Sequence, residues 1–123
     1  MLHAGKALII DTDRDFSHFL CEQLAVLEFE PHILDLIPAA PTRRTVRTML
    51  LDTIWLFIDV QIAWWKRASL VNPSLPHLVV MGWDAEIMDT LKLYASSTLY
   101  LNKACAKSLP QLAQALNVQT HER

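Results

Sequence analysis

The sequence predicts an α/β fold, a parallel five-stranded sheet with helices on both faces, and three observations carry that expectation. Short apolar runs without polar alternation recur at Lys6–Asp11, Thr53–Val60 and Leu78–Met81, which is how strands covered on both faces read. Amphipathic stretches of helical period stand between them. Strand and helix alternate at a spacing that suits right-handed crossovers, so five βα units in a doubly wound, three-layer arrangement are expected.

Taken in order, Lys6–Asp11 is strand one, and a helix opens at Asp15 with Phe16, Phe19, Leu20, Leu24 and Leu27 on its inner stripe. His32–Ile37 reads as strand two, closed by Pro38. Pro41 and Thr42 open a second helix that runs through Leu51, its polar face carrying Arg43, Arg44 and Arg47. Thr53–Val60 is the most apolar run and the expected central strand, with Asp59 near its end. Ala63–Val71 suits a short third helix, stopped before Asn72-Pro73 because a residue preceding proline avoids the helical region. Leu78–Met81 is strand four, Asp84–Tyr94 an amphipathic fourth helix, Leu99–Leu101 strand five, and Ser108 the cap of a last helix.

Composition narrows the function classes. With 123 residues, 52% of them hydrophobic and 20% charged, the chain is expected to form one domain over residues 1–123 rather than a disordered segment. A formal net charge of −2 offers no field for nucleic acid or an anionic membrane. The strongest apolar run, Ile54–Ile58, is too short to span a bilayer, and Met1–Lys6 has no leader pattern, so a cytoplasmic protein is expected. Cys21 and Cys105 stand far apart without metal-ligand spacing, which argues for reduced thiols. His18 and Glu22 lie one helical turn apart but lack a third ligand, and the arginine face reads as a solvated surface.

In open parallel sheets polar sites gather at the carboxyl ends of the strands. That rule selects Asp11 and Asp13 after strand one, Asp59 ending strand three, Gly82 after strand four and Lys103 after strand five. The runs Ala7–Phe16, Leu56–Val60 and Leu99–Lys103, spread over nearly the whole chain, resemble the receiver domains of bacterial two-component response regulators. The resemblance implies a flavodoxin-like (βα)5 receiver-type fold. It also implies that Asp59 stands where the family takes phosphate from a histidine kinase, with Mg2+ held by Asp11, Asp13 and Asp59 and the Gln61 carbonyl, and Lys103 pairing with the phosphoryl group. A carboxylate nucleophile needs such a hard cation before an anionic donor can approach.

Departures from the pattern accompany the matches. Thr12 replaces the second acid of the family's pair, which predicts weakened Mg2+ binding unless Asp13 substitutes. Gly82 replaces the Thr or Ser whose hydroxyl holds a phosphoryl oxygen, and Ala104 replaces the proline after the lysine, so that loop is expected to be reshaped. Val60–Trp64 lacks the usual Pro and Gly beside the phosphorylated residue. Tyr100 matches the family's aromatic switch, but Gly82 removes the lever that moves it.

These features predict a degenerate receiver-like signalling domain, not an enzyme, that works mainly through protein contacts. Its partner would be a histidine kinase or another signalling protein, and it is expected to form a homodimer through the fourth helix, fifth strand and fifth helix, with Leu93, Tyr94 and Tyr100 supplying contact area. The alternative is a working phosphoacceptor on Asp59. A bland alternative also stands, in which Asp11, Asp59 and Lys103 form a salt bridge that only holds the strand ends. Trp64 and Trp65 point about 100° apart on a helix and suit a wide apolar face, while Trp83 would lie near the site and cap it. An enzyme of another class would need a phosphate-cradling loop or nucleophile elbow, and two glycines supply neither.

Overall fold

The computed structural model describes residues 5–37, 39–62, 77–83 and 99–116. Their elements run β1 (Gly5–Ile10), α1 (Arg14–Val26), β2 (Phe29–Ile33), α2 (Arg43–Met49), β3 (Trp55–Asp59), β4 (His77–Gly82), β5 (Leu99–Asn102), a 3-10 turn (Lys103–Cys105) and α3 (Leu109–Ala115). The helices expected at 63–71 and 84–94, with Trp64, Trp65, Leu93 and Tyr94, lie outside the described residues. Among the described residues no helix is long and apolar enough to cross a membrane.

All five strands are parallel and form one sheet in the order β2-β1-β3-β4-β5. The chain steps from β1 to β2 in one direction, then passes back over β1 to reach β3, so the winding reverses between β1 and β3. That reversal places α1 and α2 on opposite faces. Phe16, Leu20 and Leu24 of α1 pack with Leu112 and Ala113 of α3 on one face, while Val46 of α2 and Leu50, its cap, pack on the other.

Strand pleating divides the core between these faces, because successive side chains point to opposite sides. Ala7 and Ile9 of β1, Trp55 and Phe57 of β3, Val79 and Met81 of β4 and Leu101 of β5 join the α1/α3 face. Leu8, Ile10, Leu56, Ile58, Leu78 and Val80 join the α2 face. Both sets are buried, which explains why these strands read as unbroken apolar runs. Each large buried side chain contributes about 1.5–3 kcal/mol, and a slip of one residue would exchange the two sets.

Local chemistry sets the helix starts. Asp13 caps α1 by accepting a hydrogen bond from the Phe16 N–H at 3.0 Å, and Thr42 caps α2 through the Thr45 N–H at 3.1 Å. Ser108 is the cap of α3, as expected, with Pro110 in the first turn. The exits are less usual. In a chain this poor in glycine, the left-handed positions after α1 and α2 fall to Glu28 at φ 69° and Asp52 at φ 63°. Aspartate tolerates that region because its short side chain bonds locally.

One element differs from expectation. The second strand is Phe29–Ile33, not His32–Ile37, and it carries Pro31 in its middle. Proline lacks the N–H that a central strand needs, but β2 pairs only with β1 and so tolerates it as the edge of the sheet. Phe29 anchors the register by burying its ring against Trp55, at 5.2 Å between centroids, and Phe57, at 6.2 Å.

Gly5 opens β1 at φ +103°, where a Cβ would lie 2.5 Å from Ile54 Cδ1. Gly5→Ala is expected to cost about 1–3 kcal/mol in chemical denaturation, mostly from the backbone conformation. Adding Ile54→Ala should relieve the steric part and leave the larger conformational part in place.

Candidate functional site

The pleat that sorts the core also assembles the site. Asp11 continues the series Ala7, Ile9; Asp59 continues Trp55, Phe57; Lys103 continues Leu99, Leu101, all on the α1/α3 face. Three residues from distant parts of the chain therefore project to one side of the sheet at its carboxyl edge, beside the point where the winding reverses.

They converge there. Lys103 Nζ lies 2.6 Å from Asp11 Oδ2 and 2.7 Å from Asp59 Oδ2. All three residues are buried, Lys103 to 1% exposure. The contact with Asp59 is a hydrogen bond of ordinary geometry. Asp11 Oδ2 meets the same ammonium in the shorter of the two ion-pair contacts. Phe16 lies under the ammonium at 5.0 Å and Trp83 at 5.7 Å, and the two rings meet edge to face at 6.1 Å. Such faces attract a desolvated cation by about 0.5–2 kcal/mol each.

The remaining carboxylate oxygens serve the backbone. Asp11 Oδ1 accepts the Asp13 N–H at 2.9 Å, and Asp59 Oδ1 accepts the Gln61 N–H at 2.8 Å. Asn102 repeats the device on β5, its Oδ1 accepting the Ala104 N–H at 2.9 Å. Three strand ends thus turn through the same bond between a side-chain oxygen and the second following N–H. On β5 that bond starts the 3-10 turn that places Lys103.

The other expected site residues fall around this centre. Asp13 stands beside Asp11, with Oδ1 engaged by the helix cap. Thr12 is exposed. Gly82 pairs in register with Asn102 and brings only backbone to a pocket of about 400 Å³ lined by Asp11, Thr12, Asp59, Trp83 and Lys103. Trp83, 55% exposed, lies beside the site and forms part of the pocket wall. Tyr100 is half-buried on the opposite face, against the α2 cluster. Among the described residues no group of three His, Cys, Asp or Glu side chains is placed to hold a metal ion.

Electrostatics follow from burial and pairing. Burial pushes the Asp11 carboxyl above the ordinary aspartate range, aided by the charge of Asp59, and the opposing effects of Lys103 and the Asp13 N–H only partly reverse it. For Lys103, burial works toward the neutral amine, but hydrogen bonds and charge from Asp11 and Asp59 outweigh it and raise the ammonium pKa. The lysine therefore stabilises the fold fully below its ordinary pKa and loses that contribution as pH climbs through the raised value.

Two contributors to the site are not among its expected residues. Phe16 reads in sequence as helical core, yet its place in the first turn of α1 brings its ring to the ammonium at the end of β1. Asn102 carries a turn signal of its own, an Asx side chain two positions before the N–H that it accepts.

No family model and no curated protein matches the chain. A similar solved structure is titled as a yeast Spc42 trimeric coiled-coil, amino acids 181–211, fused to another structure. It shares 12% identity over 95% of this chain and 79% of that chain with a TM-score of 0.60, a likeness of fold alone.

Removing the ammonium leaves two buried carboxylates facing one another. Lys103→Met is expected to destabilise the fold by about 3–5 kcal/mol at neutral pH. The loss should shrink as pH falls from about 7.5 toward about 4.5, because Asp11, already biased toward its neutral form, takes up a proton and the excess buried charge falls. Urea denaturation of both proteins at the two pH values measures the difference.

Proposed function

We propose that the chain is an atypical receiver-like signalling domain of the two-component type, acting mainly through contacts with other proteins. The strand order 2-1-3-4-5 supports a flavodoxin-like doubly wound fold. The observation that carries the functional reading is the ammonium of Lys103 lying between Asp11 and Asp59 at the edge of that sheet. Both carboxylates are engaged on both oxygens, Thr12 adds no anionic ligand, and Gly82 adds no hydroxyl for a phosphoryl oxygen. A site in that condition favours a scaffold over a phosphate acceptor.

The partner in this reading is a histidine kinase or another signalling protein in the cytoplasm. A homodimer would form through residues 84–94, including Tyr94, together with β5 and α3. Sedimentation at rising concentration is expected to show a closed dimer, and a monomer at all concentrations would remove this face from the proposal.

A second reading is favoured by one feature, the pocket of about 400 Å³ that reaches Asp59 and Lys103 together. In it Asp59 accepts a phosphoryl group with Mg2+ present, and Lys103 steadies the product. Incubation with a small phosphodonor and Mg2+, read by intact mass for the native chain and Asp59→Asn, separates the two. No mass gain is expected. A gain of one phosphoryl group that disappears in Asp59→Asn would establish the second reading in place of the first.

A further inference from the structure

We infer that the Lys103 ammonium occupies the position a divalent cation would take between Asp11 and Asp59, so that this chain closes its acidic pocket with an internal cation instead of a metal ion. The inference deepens the scaffold reading, on which it rests, by saying what the buried lysine does for the pocket.

Two buried carboxylates at the carboxyl edge of the sheet need a positive charge between them, since neither can return to water. The chain supplies one from within. Lys103 Nζ lies 2.6 and 2.7 Å from one oxygen of each acid, so it sits where a bridging cation would have to bind. It is also fixed there. The residue is 1% exposed, with the Phe16 and Trp83 rings within 5.0 and 5.7 Å of its charge, and its backbone starts a turn capped by Asn102.

The carboxylate oxygens beside the ammonium are also engaged. The second oxygens of Asp11 and Asp59 accept the N–H groups of Asp13 and Gln61, and Asp13 Oδ1 accepts that of Phe16. A magnesium ion keeps several waters in its octahedral shell but needs one or two carboxylate oxygens of its own. To enter, it would have to share the two Oδ2 atoms with an ammonium already in contact with them, and the two cations would repel. The donor set present therefore fits the lysine and does not fit the metal.

Mg2+ titration of the native chain and of Lys103→Met, followed by thermal unfolding, tests the inference, with Mn2+ as a paramagnetic probe of direct binding. The native midpoint should stay unmoved and bind no Mn2+ at the pocket. Lys103→Met should gain about 5 °C or more at saturating Mg2+, and Lys103→Met/Asp59→Asn should lose that gain. The inference is overturned if the native chain binds Mn2+ in a manner abolished by Asp59→Asn, or if folded Lys103→Met gains nothing from either metal. Should Lys103→Met remain unfolded throughout, Mn2+ binding to the native chain decides alone: none upholds the inference and binding sinks it. Phosphoryl uptake is read separately by mass, so metal binding by the native chain without uptake would sink this inference and leave the scaffold reading standing.

Discussion

A single ammonium, buried and held between two buried carboxylates, is the constraint around which the carboxyl edge of this sheet is organised. Adjacent strands lie about 4.8 Å apart, so a lysine leaving β5 must pass β4 to meet β3 and then β1. The 3-10 turn after β5 and the Asp turns after β1 and β3 bring the charges together from those separate starting points. Loss of any member leaves the others charged and out of water, which is why the three behave as one unit.

Each aspartate does two things with two oxygens. One oxygen bends the backbone away from its strand and the other meets the lysine, so the turn that ends the strand also aims the charge. That economy lets the same two carboxylates end their strands and hold the buried ammonium between them. Aromatic rings complete the enclosure, with Phe16 beneath and Trp83 at the rim supplying polarisable faces where water would otherwise solvate the ammonium.

Much of this was legible in the residues. Apolar runs without alternation marked β1, β3 and β4 because both faces of those strands are covered. The site was legible through the same pleat, since Asp11, Asp59 and Lys103 each stand two positions beyond a core residue of one face. The second strand was misplaced because its mark is not an apolar run: Phe29-Glu-Pro-His-Ile33 is tolerated only at an edge, and edge status is a property of the whole sheet. The double engagement of the carboxylates was likewise hidden, because a side-chain oxygen bonding the second following N–H looks, in sequence, like any aspartate after a strand. Phe16 shows a third limit, as one side chain both fills the α1 stripe and lines the pocket.

Pro31 has an effect beyond its own strand. A foreign β-segment seeking to extend the sheet past β2 would find no amide hydrogen at the centre of that five-residue border, and would face the Glu30 and His32 side chains, themselves joined at 2.9 Å. The border is thus a poor template for fibrillar growth, and self-assembly there must rely on side-chain surfaces rather than on a continued ladder of main-chain bonds.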